Sequence, residues 1–378
     1  MSDEQIIVAP KGLAGVVADD SSISSVNWES NSLSYRGYRV QDLSEHCRFE
    51  EVAYLLTHGD LPNASQLKAF TDKERSYRTI SKSLLDSIKL YPKSAHPMDT
   101  LRTGVSFIGM EDDRIWDNSA EVNQDKYLRL LGAIPTIIAA AYRVSKGWEP
   151  VAPRTDLPMS ENFFHMCFGQ VPAAEVIKAF DVSLILYAEH SFNASTFTAR
   201  VIASTTSDLY SAVTGAIGAL KGPLHGGANE QVMHMMKEID DPAKAREWML
   251  DALAKKKKVM GFGHRVYRNG DSRVPTMTAY MRKMVDFTGQ RKWMEMFDVL
   301  AETMIKEKNI HPNLDFPSGP AYYMMGFEIE MFTPVFAMAR IAGWSAHIME
   351  QCAANRLIRP LANYTGSPER EVKPVSER

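Results

Sequence analysis

The sequence predicts a mainly α-helical fold. Apolar residues recur at helical spacing along most of its 378 residues, alternating strand patterns are few, and short Gly/Pro-rich segments punctuate the helical stretches. At this length the chain can bury a large core, as about two or three domains or as one large helical domain with a smaller one inserted. The first element is strand-like. Ser32 to Val40 alternates and is read as a small hairpin or extended arm. Residues 49 to 58 then show apolar positions at helical spacing, closed by Gly59 and followed by Pro62. The same period predicts helices over 66 to 90, 99 to 109, 127 to 146, 172 to 190, 207 to 221, 229 to 237, 243 to 257, 275 to 286, 291 to 308 and 334 to 356. The last of these starts well, with Thr333 as N-cap and Pro334 at the first helical position. From there to Cys352 it is apolar on nearly every face, which places it inside the molecule or between subunits.

Composition narrows the class. Apolar content of 45% and charged content of 24% fit a globular enzyme and exclude disorder as the main state. A net charge of -3 argues against nucleic acid as a principal partner, so any anion site must be local. Cys47, Cys167 and Cys352 are scattered, with no C-x-x-C spacing, and read as reduced core thiols. The N-terminal Met-Ser-Asp-Glu-Gln lacks the basic start and apolar run of a signal peptide, so a cytoplasmic location is expected. The most apolar tract, Leu130 to Tyr142, is short for a membrane span and contains Pro135.

Chemistry concentrates where the helices are interrupted. His225 lies in Lys-Gly-Pro-Leu-His-Gly-Gly-Ala-Asn-Glu, His264 in Gly-Phe-Gly-His-Arg-Val-Tyr-Arg and Asp315 in His-Pro-Asn-Leu-Asp-Phe-Pro-Ser-Gly. Two imidazoles and a carboxylate, each beside glycines that allow a ligand close to the backbone, suit proton abstraction next to a carbonyl. His190 stands in a fourth break, whereas His234 and His347 sit at helical positions and read as structural. A zinc reading of His190, His225 and His264 has no H-E-x-x-H pair behind it.

Arg340 falls in the middle of the apolar helix with no acidic residue within one turn on either side. A buried guanidinium needs an anion: either a distant Glu or Asp, or a substrate carboxylate. Around His264, Arg265, Arg268 and Arg273 follow and Lys255, Lys256, Lys257 and Lys258 precede. Arginine forks suit carboxylates and phosphates, whereas the lysine run also reads as a solvated helix C-terminus favoured by the helix dipole. Gly261-Phe-Gly263 resembles the start of a dinucleotide fingerprint, but Val266 occupies the third glycine position, and no Walker A motif is present.

Together, Gly-Pro-Leu-His-Gly-Gly-Ala-Asn-Glu, Gly-Phe-Gly-His-Arg-Val-Tyr with Arg273 downstream, Pro-Asn-Leu-Asp-Phe and Glu-His-Ser-Phe-Asn-Ala-Ser-Thr resemble the signature segments of the citrate synthase family, in the same order. Gly12-Leu-Ala-Gly-Val, Tyr35-Arg-Gly-Tyr and Phe49-Glu-Glu-Val-Ala-Tyr-Leu-Leu resemble its N-terminal region, and Arg356-Leu-Ile-Arg-Pro-Leu its C-terminal one. The resemblance implies an all-α fold: a large helical domain from residues 1–218 and 326–378, and a small, mobile helical domain from 219–325 inserted between. It implies that Asp315 takes a proton from the acyl methyl of acetyl-CoA, that His225 stabilises the resulting enolate, and that His264 polarises the ketone of oxaloacetate and protonates the alkoxide. Arg273, Arg340 and Arg359 would hold oxaloacetate carboxylates with His190 adding a hydrogen bond, while Arg268 and Lys255 to Lys258 would meet CoA phosphates. It further implies a homodimer with sites shared between subunits, Arg359 reaching the partner's site. No metal or cofactor is expected, the CoA thioester being a substrate.

Leu314 to Gly326 and Arg340 to Gln351 resemble the 2-methylcitrate synthase branch, whose members use propionyl-CoA and often acetyl-CoA. One methylene commands only about 1–3 kcal/mol in an apolar pocket, so competence with both donors is expected. A non-catalytic helical dimer would leave three Gly-framed acid/base segments without purpose, an ATP-dependent citrate-cleaving enzyme would need a nucleotide-binding region, and a zinc hydrolase would be sensitive to chelators.

Overall fold

Alternation near the N-terminus produces a small antiparallel sheet of β1 (Ser24–Asn27), β2 (Ser32–Tyr35) and β3 (Tyr38–Arg39), in that order. The structure, a computed structural model, describes residues 8–267 and 269–378. The hairpin expected over 32 to 40 is β2 and β3; β1, with Val26 as its one large apolar residue, carries too little pattern to be read. Tyr35 is fully buried and its hydroxyl donates to the Glu189 carbonyl at 2.9 Å, fastening the sheet to the chain that carries His190.

Helices make up the rest of the regular structure among the described residues. They are α1 (Val40–His46), α2 (Phe49–His58), α3 (Ala64–Ser76), α4 (Lys82–Leu90), α5 (Pro97–Met110), α6 (Ala120–Ser145), α7 (Met159–Phe168) and α8 (Ala174–Tyr187). Then come α9 (Ala194–Ser204), α10 (Leu209–Leu220), α11 (Ala228–Ile239), α12 (Pro242–Ala254), α13 (Val274–Thr288), α14 (Lys292–Lys308), α15 (Asp315–Met324) and α16 (Phe332–Ala353). Caps explain several boundaries. Asn63 accepts from the Gln66 N–H and Gln66 returns the bond, a reciprocal cap that starts α3. Ser81 accepts from the Leu84 N–H and starts α4. The single helix expected over 66 to 90 is therefore two, divided at a break with neither Gly nor Pro.

Four helices escape the periodic pattern. α1 is short. α7 is apolar in blocks rather than at helical spacing, and its Phe163 and Phe164 pack into a ring cluster, 5.6 Å from Phe180 and 5.0 Å from Phe327 respectively. α9 is started by Asn193, whose side chain accepts from the Thr196 N–H. α15 contains Pro317, Gly319 and Pro320, which read as loop; Pro317 falls in the first turn, where a missing N–H costs nothing.

α16 is the axis of the fold. It is buried without interruption from Phe332 to Ile348 and packs against α2, α6, α8, α9 and α10, so its apolar surface is covered within one chain. At Gly343 it passes so close to the end of α8 that an added Cβ would lie 2.5 Å from the Ala188 carbonyl oxygen and 2.3 Å from Glu189 Oε2. That approach brings Arg340 beside His190. α6 is a 26-residue helix, longer than the apolar tract within it, and by length and composition could cross a membrane; 72% of its apolar window is buried in the protein, as a core helix would be.

Within residues 219–325 the helices pack mainly on one another, α12 on α14 and α13 and α11 on α15. Their chief contacts with the remainder are α13 on α8 and α11 on α16.

Candidate active site

Between α8, α16 and the segments around 225, 264 and 315 lies a cavity of about 1080 Å3. Two strand-like segments set its floor. Gly263 N–H donates to the His311 carbonyl at 2.8 Å and Asn313 N–H to the Gly261 carbonyl at 2.9 Å, placing His264 next to Asp315. The glycines were expected to make room for a ligand. At Gly261, φ is +85° and a Cβ would strike Val232 and Phe316 at 2.6 and 2.9 Å, so the space it saves is taken by the protein's own packing.

His225 and His264 are each held in one tautomer. The Ser195 N–H donates to His225 Nε2 at 3.3 Å, so Nε2 accepts and the proton belongs on Nδ1. Ser195 Oγ, 2.8 Å from the same nitrogen, is itself fixed by Trp344 Nε1 at 3.0 Å and by Asn193 Oδ1 at 2.7 Å. On His264 the roles are reversed. Nδ1 accepts from the Val266 and Tyr267 N–H groups at 3.0 and 3.2 Å, leaving Nε2 to carry the proton. Burial, with Arg340 nearby, lowers the pKa of His225 to about 3; burial, with Arg273 nearby, lowers that of His264 to about 4. Both rings are thus neutral N–H donors at pH 7. His190 is also buried and neutral, its pKa held well below the usual value by burial and then Arg273, and its Nε2 has no hydrogen-bond partner.

Asp315 shows the opposite shift. Burial raises its pKa to about 6, opposed by a hydrogen bond from the Tyr187 hydroxyl to Oδ1 at 2.8 Å. It opens α15, where the helix dipole favours its negative form. The carboxylate is therefore largely ionised at pH 7 yet basic enough to accept a proton.

The two arginines differ in their pairing. Arg273 forks onto Asp271 through Nε at 2.9 Å and Nη2 at 2.7 Å; burial opposes its charge, but Asp271 outweighs it and holds the pKa above the usual value. Arg340 makes no ion pair among the described residues. Nε donates to the Tyr187 carbonyl at 2.6 Å, the guanidinium lies 4.7 Å over the Phe336 ring, and Nη1 is buried without a partner. Burial lowers its pKa to about 10, still well above neutrality. The distant acidic partner considered for Arg340 is absent as a contact; Glu189, the carboxylate that most favours its charge, pairs instead with His347 at 3.0 Å.

Of the residues singled out from the sequence, His190, His225, His264, Arg265, Arg273, Asp315, Arg340 and Lys258 line this cavity. Lys255, Lys256 and Lys257 are exposed and do not; Lys255 pairs with Asp251 at 2.8 Å and Lys257 lies over Trp248. Arg359 is exposed on the segment after α16, away from this chain's cavity, and Arg268 lies outside the described residues. Among the described residues, no group of three His, Cys, Asp or Glu side chains is placed to hold a metal ion. Tyr187, Ser195, Asp271 and Trp344 were not anticipated. Asp271 stood two residues before Arg273, a spacing that could have suggested the pair; the others come together only through the packing of α8, α9 and α16.

Family comparison accords with this geometry. Residues 12–361 match the family model described as citrate synthase, C-terminal domain. The chain belongs to the citrate synthase family. It is 54% identical to a 2-methylcitrate synthase of Mycobacterium tuberculosis over 95% of this chain and 91% of that protein. It is also 54% identical to a citrate synthase of Mycolicibacterium smegmatis over 96% of each. Among solved citrate synthases, that of Thermoplasma acidophilum, a ternary complex with carboxymethyl coenzyme A and oxaloacetate, superposes with a TM-score of 0.93 at 32% identity. The superposition covers 97% of this chain and 99% of that one. A citrate synthase fold thus surrounds the cavity just described.

Proposed function

We propose that this citrate synthase family member condenses acetyl-CoA with oxaloacetate and water to give citrate and CoA, and uses propionyl-CoA to give 2-methylcitrate. The observation that carries the reading is the pairing of protonation states: an ionised carboxylate of raised pKa beside two imidazoles fixed as neutral N–H donors. Asp315 removes a proton from the acyl carbon next to the thioester carbonyl. The electron pair moves toward the thioester oxygen, where His225 Nδ1–H donates. The acyl carbon attacks the ketone carbon of oxaloacetate, whose oxygen takes the proton of His264 Nε2. Water then cleaves the citryl thioester and releases CoA. No cofactor beyond the thioester substrate is required.

Oxaloacetate is a dianion, and Arg340, a buried cation with no ion pair among the described residues, is suited to one of its carboxylates, with Arg273 and the free Nε2 of His190 beside it. Arg359 would come from a second subunit. The segment after α16 supports a homodimer: Leu357, Leu361, Tyr364 and Val372 are all more than half exposed, apolar residues that a partner would cover. Residues 219–325 would form the small domain, which carries His225, His264, Arg273 and Asp315, against a large domain carrying His190 and Arg340. Closure of one on the other would exclude water until condensation is complete. Lys258 on the cavity wall and Arg268 are placed in the reading as contacts for CoA phosphates.

The relatives bear both names, and the rings of Tyr187 and Phe336, 4.1 Å apart, line the cavity together with Asp315. Thiol release with oxaloacetate and either acyl-CoA tests the reading. Both donors should react, with kcat/KM values within about tenfold. A ratio of several thousand would remove the dual-donor reading, and no release with either would remove the function.

A further inference from the structure

Tyr187 ends α8 with its side chain fully buried and its hydroxyl 2.8 Å from Asp315 Oδ1. A carboxylate only accepts, so the phenol donates. It stays protonated to do so, because burial, and next the Asp315 charge, raise its own pKa well above the usual value. The ring cannot swing away freely: Phe336 lies 4.1 Å from it, centroid to centroid, and the Tyr187 carbonyl is held by Arg340 Nε. Asp315 Oδ2, by contrast, has no hydrogen-bond partner among the described residues, and Asp315 lines the cavity.

We propose that Tyr187 is a positioning residue for the base, pinning one oxygen of Asp315 so that the other faces the substrate, and favouring the ionised carboxylate by donating to it. This rests on Asp315 being the base. The consequence follows from the sign of the interaction. A hydrogen bond to the charged form lowers a carboxyl pKa, so without the phenol the burial of Asp315 would act with less opposition and the group would protonate at higher pH.

The test is the pH profile of kcat/KM for the acyl-CoA in wild type, Tyr187→Phe and Asp315→Asn, with oxaloacetate saturating. In Tyr187→Phe the acid limb should move up by about one to two pH units, the size expected for one charge-assisted hydrogen bond, with activity recovering toward wild type above pH 8. The KM for oxaloacetate should change less than about twofold, which a general disturbance of the site would not spare. 3-Fluorotyrosine at position 187 keeps the ring and strengthens the donor, so it should move the limb down, and it serves if the phenylalanine variant does not fold. An unmoved limb in both, with Asp315→Asn inactive, overturns the role of Tyr187 alone. Near-normal activity in Asp315→Asn overturns the base and this proposal together.

Discussion

Arg340 Nε and the Tyr187 carbonyl oxygen are 2.6 Å apart, and this is the one hydrogen bond that a buried, unpaired guanidinium makes among the described residues. Arg273, on the same cavity, has a full carboxylate fork from Asp271. The two arginines therefore differ in what removing them should do.

Arg340→Met should weaken oxaloacetate binding by about 30-fold to several thousand-fold, the range for deleting one partner of a buried charge pair. The free protein should lose no stability, since the substitution removes a buried charge that no side chain compensates. Calorimetric binding and thermal unfolding check the two halves. A large fall in Tm with binding retained would make Arg340 a structural cation instead.

The pH dependence should have one acid limb. With the Asp315 pKa near 6, kcat/KM should rise as the carboxyl deprotonates and then level off toward pH 8. His225 and His264, lowered to about 3 and 4, are already neutral across this range and should add no limb. If either acted as an imidazolium, activity would fall as the pH rose through its pKa. A decline centred near pH 6.5 in the initial rates would therefore contradict the neutral-donor assignment.

These assignments show what the sequence could and could not convey. The long helices and the four interrupted segments were legible because helical spacing and Gly/Pro punctuation are local properties. His190, His225, His264, Arg273, Asp315 and Arg340 were legible as residues for the same reason, and the fold gathers all six at one cavity. Their protonation states were not. The tautomer of His225 depends on the Ser195 N–H, and Ser195 Oγ depends on Trp344, a contact across 149 residues. The break at Ser81 was hidden because a single cap overrides the average pattern, and the start of α15 because Pro317 falls within its first turn; Pro320 lies inside the helix, where a proline ordinarily argues against one.

Assembly can be tested through Arg359. Asp315→Ala and Arg359→Ala proteins, dissociated and reassociated as an equal mixture, should recover about a quarter of wild-type activity if Arg359 serves the partner's site, because each mixed dimer then holds one intact site. If Arg359 acts within its own subunit, every site keeps a lesion and mixing recovers nothing.

The central claim is that Asp315 is the base, acting on the acyl-CoA and not on oxaloacetate. Thiol release by Asp315→Asn, measured beside its oxaloacetate affinity, tests this most directly. The account predicts a fall in turnover of at least about 100-fold, the contribution of a positioned base, with oxaloacetate affinity within a few-fold of wild type. Near-normal turnover, or a loss of oxaloacetate binding large enough to explain the lost activity, would contradict it.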